Sequence, residues 1–208
     1  MIKIKNLILT IFLSLNIQSI NIDKEINYSY TPNITTRTVH SKLFYENAAF
    51  AAKQKVTNEA FPYYVPSARV HTFNKFIPEE KFYKKHPEYF AQRGTKRLPT
   101  QLCLTNEKVY EIVKDSVASL FKQFPNSSVI SVSSNDNTQY CTCENCKKID
   151  DLEGGPSGTM IQFVNKVAAN FPDKTISTLA YQYTRKPSKT KPLNSVSVGL
   201  VSNRLHNF

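Results

Sequence analysis

Apolar residues recur every three or four positions in two stretches of the chain. Val109, Ile112, Val113, Val117, Leu120 and Phe121 form one such stripe, opened by Asn106 and closed by Pro125. Met160, Ile161, Val164, Val167, Ala168 and Phe171 form the other, with Ser157 as the expected cap and Pro172 as the stop. That period and that punctuation predict two amphipathic helices. Between and after them lie short runs rich in β-branched residues, at 129–133, 175–181 and 196–201. Runs of this length and composition predict buried strands. Strand, helix, strand, helix, strand implies a parallel sheet with covering helices.

The first half is less regular. Residues 42–55 carry a weak helical stripe through Phe44, Tyr45, Ala48, Ala49 and Ala52. Residues 68–73 alternate and predict a strand, and residues 100–104 predict another. Pro78 followed by Glu79 and Glu80 has the chemistry of a helix first turn. His86 to Phe90 predicts a second short helical or turn element. A closed (β/α)8 barrel takes about 250 residues, so the fold expected of 208 residues is an open α/β sheet or part of a TIM-type barrel. An incomplete barrel leaves a strand edge unpaired, which is an aggregation risk.

The N-terminus follows another logic. Lys3 and Lys5 precede a mostly apolar run at 7–17, the pattern of a secretory signal peptide and too short for a span of roughly 20 residues. An uncleaved anchor or a buried first helix is the competing account. Residues 1–20 are therefore set apart as a signal peptide, 21–37 as a polar linker or extended segment, and 38–208 as the folded domain, with a secreted or periplasmic location expected. The formal net charge is +11. Its lysines are scattered singly and in pairs, with no basic arm or arginine-rich helix, so the charge fits a solvated surface better than a nucleic-acid partner. A basic zinc module binding nucleic acid remains the least favoured reading.

The chemistry gathers after the 129–133 run, where Asn135, Asp136 and Asn137 stand at a strand's C-terminal end. That end is where α/β sheets present working groups; a turn capped by Asn and Asp is the plain alternative. Cys141, Cys143 and Cys146 follow, and Cys103 ends the earlier run. If the two strands are adjacent and parallel, the four thiols converge. Four thiolates suit a structural zinc; disulfides, favoured by export, and free thiols are the other accounts. Asp136 is the candidate acid for glycosidase chemistry, which uses two flanking carboxyl groups, one kept protonated. Glu153 is its weaker candidate partner, and Asp150 and Asp151 fit a solvated helix end. His71, Gln101, Asn135, Asn137, Tyr181 and Gln182 are the candidate sugar contacts, being amide and aromatic groups at predicted strand ends.

The motifs Val70-His71-Thr72-Phe73, His86-Pro87-Glu88-Tyr89-Phe90, Ser134-Asn135-Asp136-Asn137, Cys141-x-Cys143-x-x-Cys146, Glu153-Gly154-Gly155-Pro156 and Thr178-Leu179-Ala180-Tyr181-Gln182 occur in this order. Together they resemble the domain-of-unknown-function family 4838, which overlaps glycoside hydrolase family 163. The resemblance spans residues 36–200. It implies exported bacterial enzymes with a (β/α)8 barrel, similar to endo-β-N-acetylglucosaminidases acting on complex N-glycans. It also implies a separate N-terminal domain, further strands, and a carboxylate near the position of Arg204, so the chain reads as truncated with its catalytic pair incomplete. A catalytically inactive glycan-binding remnant is the alternative to an enzyme.

Overall fold

The computed structural model describes residues 37–39, 41–59 and 61–201, all within the unit spanning 36–208. The expected signal peptide, the linker up to residue 36, and the segment containing Arg204 lie outside the described residues.

The weak stripe at 42–55 forms two short helices, α1 (Lys42–Tyr45) and α2 (Ala48–Lys53). Asn47 divides them, because its side chain accepts a hydrogen bond from Phe50 N at 2.9 Å and so starts a new helix. The expected strand at 68–73 is not one. His71 takes a positive φ of 52°, which breaks extended backbone, and Phe73 opens α3 (Phe73–Phe76). Helix α4 (Glu79–Phe82) follows Pro78 as the acids of its first turn predict, and Pro87–Tyr89 forms a 3-10 turn.

The pattern did not show the next feature. Strand β1 (Phe90–Arg93) pairs antiparallel with β2 (Lys96–Leu102). Gly94, at φ 59°, opens their two-residue loop, where a type II′ turn takes glycine. The strand expected at 100–104 is thus the end of a hairpin and is not part of a parallel sheet.

Helix α5 (Glu107–Gln123) begins at Asn106, whose side chain accepts from Lys108 N and Val109 N. Val109, Val113, Val117 and Phe121 are its buried face. Strand β3 (Val129–Ser131) leads through the cysteine segment to α6 (Glu144–Glu153), then α7 (Ser157–Ala168), β4 (Thr175–Ala180) and β5 (Val196–Leu200). The three strands form a parallel sheet in the order β3-β4-β5. On the other edge of β3 runs the segment 64–72. It bridges to Val129 through Tyr64, Val65 N donates to Val129 O, and Ser131 N donates to Ala68 O. The Thr72 hydroxyl donates to Ser131 O and accepts from Ser133 N, taking the place of a backbone ladder bond. Irregular segment, β3, β4 and β5 therefore stand side by side in chain order. The architecture is mixed α/β, and no closed barrel occurs among the described residues.

The core lies between this sheet and helices α5 and α7. Ile130, Val132 and Ile176 from the sheet meet Val109, Val113 and Val117 of α5 and Phe163, Val164 and Val167 of α7. Each such burial stabilises by roughly 1.5–3 kcal/mol. The outer strand β5 is different, with Val198 39% and Leu200 74% exposed. No helix among the described residues is long and apolar enough to cross a membrane.

Ser157 does not cap α7; it is the first helical residue, and its buried hydroxyl has no partner among the described residues. Gly158, one residue on, lies where a Cβ would collide with the Glu153 side chain of α6. Gly158→Ala is expected to push α6 from α7 and cost about 2 kcal/mol, measured as a fall in the urea midpoint.

Candidate functional site

Three segments end on one rim of the sheet. The 64–72 segment brings His71, the loop after β3 brings Asn135, Asp136 and Asn137, and the end of β4 brings Tyr181 and Gln182. The His71 backbone N–H donates to Ser133 Oγ at 2.9 Å, and its ring Nδ1 lies 2.8 Å from Ser134 O. The His71 ring faces Tyr181 with centroids 6.0 Å apart. Gln182 has a positive φ of 48° and donates from Nε2 to Asp136 Oδ1 at 3.0 Å. Two non-glycine residues of one rim thus hold strained backbone, a state maintained only where surroundings fix it.

The loop carrying Asp136 is tied down on both sides of that residue. Asn135 accepts from Asn74 N at 3.0 Å and donates to Thr100 O at 2.9 Å. Asn137 donates to the same carbonyl at 3.0 Å and accepts from Gln139 N at 3.0 Å. Gln101, expected among the sugar contacts, is 1% exposed. Its Nε2 donates to Asn135 O at 2.7 Å and to Asn137 O at 3.1 Å, and its Oε1 accepts from Asn135 N at 3.0 Å. The two asparagines and Gln101 are thereby engaged in holding the loop, while Asp136 is exposed. Beside them Tyr140 stacks on Tyr183 with centroids 5.0 Å apart, and the Arg93 guanidinium lies 5.1 Å from the Tyr140 ring. Burial pushes the Tyr183 phenol above its ordinary range, against its hydrogen bond with Ser134. Tyr183 follows Tyr181 and Gln182 at the same predicted strand end, whereas Tyr140 and Arg93 were not expected here, since isolated aromatic and basic residues carry no pattern.

The other carboxylates sit on α6. Glu153 accepts from Thr190 N at 2.7 Å, Thr190 Oγ1 at 2.5 Å and Gln162 Nε2 at 2.9 Å. The Thr190 hydrogen bonds hold it below the usual carboxylate range, which disfavours the protonated form a general acid needs. Asp151 pairs with Lys147 at the surface. Asp150 is buried and accepts from the backbone and hydroxyl of Thr159, which ties α6 to α7. It also borders a cavity of about 470 Å³ with Tyr140, Lys147 and Gly155.

Burial raises the Asp150 carboxyl above its ordinary value. The stability linked to it is full below the unfolded-state pKa and is lost as pH rises through the folded one. Asp150→Asn removes that loss. The melting temperature of the variant relative to wild type is expected to rise from acid to neutral pH.

The thiols converge as expected, by a different route. Cys103 arrives from the end of the hairpin, Cys141 and Cys143 from the loop, and Cys146 from the first turn of α6. All four are buried, and their sulfurs lie within 4.8 Å of one another. Cys103 Sγ is 3.6 Å from Cys143 Sγ and 4.0 Å from Cys146 Sγ. Four sulfurs 2.3 Å from a tetrahedral zinc stand about 3.8 Å apart, so the donor set fits a metal such as zinc. Gln92 N donates to Cys141 Sγ at 3.3 Å, and Arg97 Nη1 lies 4.0 Å from the same sulfur. Thr105 Oγ1 is 3.2 Å from Cys146 Sγ. N–H and O–H groups at these positions stabilise thiolates. Among the thiols themselves, bonds from Cys141 and Cys146 lower the pKa of Cys103, and Cys141 is pushed up to about 12 by Cys103.

A mixed α/β domain with a strand-end rim and a closed four-cysteine cluster is thus defined. The family model described as Domain of unknown function (DUF4838) matches residues 15–207. The chain belongs to that family. No curated protein and no solved structure matches it.

Proposed function

We propose that this domain is a glycan-directed, glycoside hydrolase-like module built as part of a (β/α)8 barrel. It acts on glycans containing N-acetylglucosamine, with Asp136 as the acid that protonates the leaving oxygen. One observation carries the reading: Asn135 and Asn137 are fastened to Thr100 and Gln101, while Asp136 between them is left exposed on the rim and oriented by Gln182. A carboxyl group held at a strand end beside half-buried His71 and Tyr181 suits a sugar ring, which offers hydroxyls to polar groups and a C–H face to aromatic ones. The apolar run at 7–17 supports action outside the cytoplasm.

The four cysteines take a zinc ion in a structural role. Four protein ligands close a tetrahedral site and leave no position for substrate.

A second reading, glycan binding without hydrolysis, is favoured by Glu153, whose carboxylate is engaged by Thr190 and Gln162. The test is release of oligosaccharide from a complex N-glycoprotein, run beside binding to immobilised N-glycans. Release supports the enzyme, binding without release supports the second reading, and neither removes the glycan proposal.

A further inference from the structure

The thiol cluster and the rim are not independent. Cys103 lies two residues beyond Gln101 on one strand end, and Gln101 holds the backbone of Asn135 and Asn137. Cys141 closes the other end of the same loop, five positions after Asp136. Between these points the hairpin and the loop are laced together. Thr142 N donates to Gln92 O at 2.8 Å, and Arg93 Nη1 donates to Tyr140 O at 3.2 Å. Tyr140 in turn stacks on Tyr183, next to the Gln182 that orients Asp136. The β1–β2 hairpin has no strand partner in the parallel sheet. Its hold on the loop rests on these few backbone and side-chain bonds and on the sulfurs.

We infer that the four-cysteine centre is a metal-dependent clamp on the Asp136 loop: zinc joins the hairpin, through Cys103, to both the loop and α6, through Cys141, Cys143 and Cys146. The inference rests on the zinc reading given above. Metal occupancy then sets the position of a carboxylate that the metal never touches. The centre need not support the sheet, because β3, β4, α5 and α7 share the main core cluster, to which Phe90 and Leu102 fasten the ends of the hairpin, while the cysteines form a separate one with Ala91.

The experiment needs no glycan. Zinc content is measured on the purified reduced protein, and amide hydrogen exchange is compared before and after removal of zinc by a selective chelator in the presence of a thiol reductant. One zinc per chain is expected. After removal, exchange at residues 91–98 and 135–146 is expected to quicken by about tenfold or more, as those segments pass to local opening. Strands β3 and β4 and helices α5 and α7 are expected to keep their protection. Cys146→Ser is the second arm. Its side chain lies on α6, so it is expected to disturb the 135–140 loop only by weakening the metal. Excess zinc is expected to restore the loop's protection in that variant. Unchanged exchange at 135–140 after zinc loss overturns the clamp, and so does loss of protection across the whole sheet. Failure of the reduced protein to bind zinc at all overturns the metal reading beneath it, whatever the glycan assays give.

Discussion

Asp136→Asn is expected to lower oligosaccharide release by about 10²–10⁴-fold, the usual contribution of a positioned general acid, with no measurable loss of stability. The second half of that statement gives the first its meaning. Asparagine keeps the oxygen that accepts from Gln182, and the side chain is exposed, so the change in folding free energy should stay within about 0.5 kcal/mol. Release and the melting curve are measured on the same preparations. Equal release by variant and wild type takes Asp136 out of the chemistry. A fall in both would mean that the loop, and not the proton, was disturbed.

Gln101→Ala is expected to do the reverse, costing about 3 kcal/mol of stability. The residue is buried, and its amide serves Asn135 at both ends. Alanine leaves the half-buried Asn135 N–H and Asn137 carbonyl without the partner Gln101 gives them and opens a cavity, and those costs combine. Gln101→Glu keeps the volume but faces two backbone carbonyl oxygens with a carboxylate that cannot donate when ionised. It is expected to be worse than alanine at neutral pH and to recover on acidification, as denaturant titration at two pH values will show. Equal stability of the two variants at both pH values would remove the hydrogen-bond account and leave only packing.

The parts of the fold visible in the sequence were those with a strong period. Helices α5 and α7 announced themselves through Val109, Val113 and Val117 and through Met160, Val164 and Val167. The parallel strands did so through β-branched runs. The hairpin did not, because β2 carries Lys96, Arg97 and Pro99, residues that weaken a strand reading, and its turn is Gly94-Thr95 in place of an Asn-Gly pair. Helix α6 was hidden for a related reason. Its sequence is mostly polar, and Leu152, one of its few large apolar side chains, is 66% exposed. The 68–73 segment alternated like a strand but was broken by one backbone angle at His71, which no periodicity reports.

The candidate site was legible in outline. The positions of Asn135, Asp136, Asn137, Tyr181 and Gln182 near strand ends followed from the strands alone. Which of them faces outward did not, since that depends on Thr100 and Gln101 arriving from the hairpin. The convergence of the cysteines was expected from two adjacent parallel strands. It is produced by an antiparallel excursion that delivers Cys103 to the same place.

Four sulfhydryls packed this tightly set a contest during biosynthesis. An oxidising compartment would couple them in pairs, and several pairings lie within easy reach because every sulfur neighbours the other three. Loading with zinc, as proposed, would tie up all four as ligands and shield them from that chemistry. Recovery of correctly assembled protein should therefore depend on whether the ion or the oxidant reaches the nascent chain first.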